Sequence, residues 1–137
     1  MPDRVPDRMP DGGRCPCGSG DDYVACCGPL HSGAQTATTA LALMRSRYAA
    51  FALGDADYLI ASWHRSTRPD RLDLDDDIRW RRLQIVDTVA GGADDADGVV
   101  EFRAQYERDG GRHLLHERSR FVRVKGRWVY VDGDVRD

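Results

Sequence analysis

Outside residues 15–27 this 137-residue chain has no cysteine; all four of its thiols lie in the stretch CPCGSGDDYVACC. It also has no apolar run near the roughly 18 residues of a membrane-spanning helix. The opening MPDRVPDRMPDGGR lacks the apolar segment of a secretory signal. Positive charge is not in excess: 20 Lys and Arg stand against 23 Asp and Glu, a net charge of −3. That balance argues against a protein whose main business is coating nucleic acid, because such affinity comes from neutralising phosphates. No phosphate-cradling glycine loop, dinucleotide fingerprint or nucleophile motif is present. Together these absences exclude a membrane span and predict a cytoplasmic protein, where reducing conditions disfavour structural disulfides.

What is present divides the chain in three. Residues 1–14 repeat Pro-Asp steps at Pro2, Pro6 and Pro10 with almost nothing apolar to bury, which predicts a disordered tail. Residues 15–33 carry the cysteines and loop chemistry through GPLHSGAQ. From 34 to 137 the pattern is that of an α+β domain. Thr38 or Thr39 can cap a helix over ALALMRSRYAAFALG, with Leu41, Met44, Tyr48, Phe51 and Ala52 on one face and Gly54 closing it. Asp55 can cap a shorter helix, ADYLIASWH. RSTRPDRLDLDDD, residues 65–77, reads as loop. Beyond residue 80 the period becomes two, most plainly where Val100, Phe102, Ala104 and Tyr106 alternate with Glu101, Arg103, Gln105 and Glu107. Gly91-Gly92, Gly110-Gly111 and Lys125-Gly126 punctuate four strands, so an antiparallel meander with helices on one face is expected.

The cysteine spacing is C-x-C-x8-C-C. Disulfides, free thiols and a redox pair compete with a metal for this cluster. A Cys26–Cys27 bond would close a strained vicinal ring, free thiols leave the clustering unexplained, and redox proteins usually carry C-x-x-C. Zinc takes four thiolates in a tetrahedron, and the intervening GSGDDYVA can fold back to bring the second pair over the first. Gly18 and Gly20 let backbone N–H groups approach the sulfurs, and Arg14 is the nearest cation to offset their charge. The spacing favours zinc. His31 is a nearby alternative ligand that four thiolates make unnecessary.

The same residues, CPCGSGDDYVACCG, closely resemble the SEC-C zinc motif, the metal-binding tail of the SecA translocase. That resemblance implies Cys15, Cys17, Cys26 and Cys27 as the ligands of a structural zinc ion. Asp21 and Asp22 stand where the motif usually has lysines, so a basic docking surface is not implied. Four further blocks, LMRSRYAAFALGDADYLIASWH (43–64), FRAQY (102–106), ERSRF (117–121) and GRWVYVDGD (126–134), together resemble the YchJ-like bacterial family. The resemblance implies an N-terminal SEC-C motif joined to a cone-shaped, nuclear-transport-factor-two-like α+β domain. It brings no activity with it.

Such a cone has a pocket at its open end. Arg45, Arg47, Tyr48, Trp63 and His64 would reach it from the helices, and Glu117, Arg118, Ser119, Arg120, Tyr130 and Asp132 from the strands. Charged groups on a half-buried sheet need partners. The favoured reading is a structural network in which Glu117 bridges Arg45 or Arg47; the other is a guanidinium clamp for an anionic ligand. His64 reads as a helix C-terminal cap before it reads as an acid/base paired with Asp132 or Glu117. His113 and His116, three apart on a strand, face opposite sides. The six basic residues of 112–127 read as edge-strand charge rather than as an RNA-binding stripe.

The function expected is that of a zinc-binding accessory module for a protein partner, with enzymatic activity not favoured. A small-molecule binder or enzyme using the pocket is the alternative, and a nucleic-acid-associated protein the third reading. The outer sheet face, at Trp128 or Val129, is the surface through which a homodimer would form.

Overall fold

The computed structural model describes residues 13–74 and 77–136. Residues 1–12 of the expected tail, and two residues of the 65–77 loop, lie outside the described residues. The order is a short 3-10 turn (Tyr23–Ala25), helices α1 (Gly28–Ser32), α2 (Ala40–Leu53) and α3 (Ala56–Ala61), then strands β1 (Arg79–Ala90), β2 (Asp97–Arg108), β3 (Gly111–Val124) and β4 (Arg127–Val135). The strands form one antiparallel sheet in the order β1-β2-β3-β4, an α+β meander.

The strands pair as their alternation dictates. Val100, Phe102, Ala104 and Tyr106 of β2 stand opposite Ser119, Glu117, Leu115 and His113 of β3. These eight share one face, and the residues between them take the other. Tight turns at Asp109-Gly110 and Lys125-Gly126, all four with positive φ, join β2 to β3 and β3 to β4. Register shifts in β1 after Trp80 and Ile85, and in β4 opposite Arg120/Phe121, bend the sheet around the helices.

Helix α2 fills the bend. Thr39 caps it by accepting from the Ala42 N–H at 3.0 Å, and Gly54 closes it in the left-handed conformation. Its start is pinned to the β1–β2 turn: Ala40 N donates to the Gly91 carbonyl at 2.9 Å. A Cβ on Gly98 would fall 2.5 Å from Gly91 Cα, so the close approach there requires glycine. The periodic face expected for α2 was too narrow. Of that face Met44 and Tyr48 are buried and Leu41, Phe51 and Ala52 half-buried, while Leu43, Ser46, Arg47, Ala49 and Ala50 are buried beside it, because the sheet covers one side and α3 and the cysteine loop cover the other.

Four local expectations are corrected. Residues 28–35 are not all loop, since α1 begins at Gly28 with Pro29 in its first turn. Helix α3 stops at Ala61, and residues 62–64 run beside β4 instead: His64 N donates to the Tyr130 carbonyl and Tyr130 N to the Ser62 carbonyl. β3 is an inner strand, so its arginines are not edge protection. Trp128 is not on the outer face; it is 3% exposed in the core, its indole N–H donating to the Thr38 carbonyl.

Candidate metal centre and the cavity of the sheet

The cysteine loop folds back by backbone bonds. Cys15 N donates to the Asp21 carbonyl at 2.8 Å, and Arg14 pairs with Asp22. The 3-10 turn then brings Cys26 and Cys27 over the first pair. A Cβ on Gly28 would lie 2.8 Å from the Tyr23 carbonyl oxygen, so this tight return requires glycine. All four Sγ atoms lie within 4.8 Å of one another, and Cys15, Cys17 and Cys27 are buried. Cys26 Sγ is 3.6 Å from Cys17 Sγ and 4.0 Å from Cys27 Sγ. Sulfurs bound tetrahedrally to one metal sit about 3.8 Å apart, so the donor set fits a single four-coordinate ion.

The electrostatics agree. Without a cation the sulfurs divide one another: hydrogen bonding to Cys17 pushes Cys15 up to about 12, bonding to Cys15 and Cys17 pushes Cys27 higher still, and bonding from Cys15 and Cys27 holds Cys17 far below the usual thiol range. For all four to be thiolates at these distances, a positive ion would have to lie among them. The backbone N–H groups of Cys17, Ser19 and Cys27 reach the sulfurs, and Ser19 Oγ lies 3.2 Å from Cys26 Sγ.

The loop is latched to α2. Arg45 Nη1 donates to the Cys17 carbonyl at 3.0 Å, so Arg45 rather than Arg14 is the cation that reaches this site. His31 Nε2 donates to the Ser46 carbonyl at 2.8 Å, while its Nδ1 accepts from Tyr23 Oη at 2.7 Å. With both ring nitrogens committed, His31 is no ligand. Burial lowers its pKa, which suits this neutral tautomer.

Across the concave face of the sheet lies a cavity of about 270 Å³. Met44, Tyr48, Phe51, Trp80, Phe102 and Leu115 form its apolar walls. Arg47, Glu117, Ser119 and Tyr130 make a polar end. Arg47 is 3% exposed, donates from Nη1 to the Leu59 carbonyl and Ser62 Oγ, and lies between the rings of Trp63 and Tyr130 at 5.0 and 4.6 Å. Glu117 Oε2 accepts from Ser119 Oγ at 2.6 Å and Tyr130 Oη at 3.2 Å.

Comparison with known proteins places this architecture. Residues 39–133 match the family described as YchJ, middle NTF2-like domain, and residues 14–29 match the SEC-C motif. A UPF0225 protein of Streptomyces coelicolor is 56% identical over 123 residues, 90% of this chain and 96% of that protein. The chain belongs to the UPF0225 family. A UPF0225 protein of Deinococcus radiodurans is 51% identical, covering 86% of each chain. Among solved structures, a SEC-C motif containing protein from Rhodopseudomonas palustris matches with a TM-score of 0.78 at 38% identity, over 90% of this chain and 98% of that one. A second, from Psychrobacter arcticus, gives 0.72 at 28% identity, over 90% and 82%.

Within this UPF0225 chain the residues expected around the pocket part company. Arg47, Tyr48, Trp63, Glu117 and Tyr130 line the cavity. Arg45 does not, being spent on the cysteine loop. Arg118 faces outward, bound to Glu101 at 2.9 Å and Asp87 at 3.5 Å; Arg120 likewise, bound to Asp132 and, at 2.9 Å, Asp134. The cause is the strand period: neighbours of Glu117 and Ser119 must point the other way. Asp132 leaves the face of Tyr130 because the register shifts at Val131. His64 caps no helix; its Nδ1 meets Ser66 Oγ at 2.7 Å and accepts the Ser66 N–H. Nor does Glu117 bridge Arg45 or Arg47, since its bonds go to hydroxyls. Met44, Phe51, Trp80, Phe102, Ala104 and Leu115 were missed as cavity walls; apolar character and period mark a core face, not a hole in it. His116 and Glu101 meet at 2.7 Å on the outer face, a pair the sequence did not suggest. No helix among the described residues is long and apolar enough to cross a membrane.

Proposed function

We propose that Cys15, Cys17, Cys26 and Cys27 hold one structural zinc ion, and that the loop it closes is an accessory surface offered to a protein partner. One observation carries the metal reading: four sulfurs converge within 4.8 Å, so the protein itself fills every position of a tetrahedron. A catalytic zinc keeps a position open for water or substrate, and a closed all-cysteine site is structural. Four thiolates suit zinc or iron, and of these zinc asks only for the tetrahedron. Retaining reduced thiolates also favours a cytoplasmic setting.

The partner reading is supported by what the closed loop presents. Val24 is 60% exposed at its tip, beside the exposed acids Asp21 and Asp22, a small apolar spot with negative charge around it. A basic protein surface is its complement. Elemental analysis should find about one zinc per chain, in a colourless protein. Iron with visible thiolate absorption, or no metal after zinc-replete reducing preparation, defeats the metal reading. Partner binding that survives Val24→Asp with zinc content intact defeats the surface reading.

A further inference from the structure

Arg47 is the one buried charged side chain among the described residues, and no carboxylate pairs with it. A guanidinium so placed is costly unless its N–H groups are used. Two contacts from Nη1 account for part of it; Nε and Nη2 make no hydrogen bond. Yet no side-chain nitrogen or oxygen among the described residues is both sealed from solvent space and unbonded. Those two nitrogens therefore keep contact with open space, and the cavity is the space that Arg47 lines. Glu117 is similar. Its Oε2 takes two hydroxyl donors, while Oε1 takes none. Tyr130 joins the two groups, with its ring under Arg47 and its hydroxyl on Glu117.

A cation and an anion at one end of an apolar hole select against net charge. An anionic guest meets Glu117, and a cationic guest meets Arg47. A group with one acceptor and one donor satisfies both. Size is set by the cavity: a space of about 150 Å³ takes a benzene ring, and this one, at about 270 Å³, takes two fused rings. The walls include Tyr48 and Phe51, each about 6 Å from Trp80 by ring centroid, which suits an aromatic guest. We propose that this cavity is a binding site for a small, neutral, fused-ring molecule whose amide or hydroxyl group lies between Arg47 and Glu117. The site does not depend on which metal the cysteines hold.

Three probes test it by calorimetric titration of the full metal-loaded chain: 2-naphthamide, 2-naphthoate and naphthalene. The amide should bind at least about tenfold more tightly than either of the others, since each of those forfeits hydrogen bonds to a charged group. Ala104→Leu places a larger side chain in the cavity wall and should abolish binding while the melting transition persists. Should that variant not fold, Glu117→Gln serves: it removes the repulsion and should narrow the gap between naphthoate and naphthamide. Tightest binding of naphthoate would make this an anion site and overturn the proposal. So would naphthalene equal to the amide, no binding of any probe, an Ala104→Leu chain that folds and binds like the parent, or an unchanged gap in Glu117→Gln.

Discussion

Stripping the metal should free the cysteine loop and leave the sheet domain standing. The two hydrophobic clusters share no residue: one joins α2 to the strands, and the other joins the cysteines to Ala49. What fastens the loop beyond the metal is countable. Arg45 bonds the Cys17 carbonyl, His31 bonds the Ser46 carbonyl, and the His31 ring lies 4.6 Å from that of Tyr58. Two hydrogen bonds at about 1 kcal/mol each, with about 1–2 kcal/mol from the ring and the covered Ala49 methyl, give about 3–4 kcal/mol. Without four sulfurs on one ion, that sum does not offset ordering a loop of this length. Its loss should lower Tm by roughly 10 °C, and the remaining transition should stay cooperative. Hydrogen exchange after chelation and gel filtration is the assay: amides from Cys15 to Gly33 should exchange quickly, while those of β2 and β3 remain protected. If the β2 and β3 amides also lose protection, the metal nucleates the whole domain and the separation of the two clusters has been misread. If the loop amides stay protected, the metal does not fasten it.

Other substitutions probe single links. Cys27→Ser should lower metal content by elemental analysis, whereas His31→Ala should leave it unchanged while costing about 1–3 kcal/mol in urea unfolding, the range for stranding a buried partner. Metal loss in His31→Ala would mean that the imidazole is a ligand. Gly98→Ala should cost about 1–3 kcal/mol of stability and lower the urea midpoint accordingly, because a Cβ there meets Gly91 Cα at 2.5 Å; an unchanged midpoint would show that the turn yields freely. Glu101 is held below the usual carboxylate range by hydrogen bonds from His116 and then Arg118. The unfolded chain therefore binds the proton more readily, and the stability Glu101 contributes is present above about pH 4.3 and lost as pH falls below it. Glu101→Gln should flatten the acid limb of stability against pH relative to the parent; parallel curves would refute the assignment.

The elements were legible because local chemistry wrote them. Thr39, Gly54 and the two positive-φ turns are signals confined to a few residues, and the alternation of Val100 to Tyr106 names a buried face without any partner in view. The cysteine cluster was legible for the same reason, its four thiols lying inside thirteen residues. The pocket was legible only in part. Strand period alone already separates Glu117 from Arg118, whereas the departure of Asp132 from the side of Tyr130 follows from a bulge that no local pattern marks.

By itself, then, the sequence determined what short range controls: the ends of α2, the turns, the inward face of β2 and the clustering of the cysteines. Tertiary structure alone decided which side chains meet across the fold. It set Arg45 on the cysteine loop, His31 on Ser46 and Arg47 between the rings of Trp63 and Tyr130. The reason is physical: these contacts join residues from 15 to more than 80 positions apart, and a side chain's charge or ring says that it needs a partner without saying which one the closing sheet will bring.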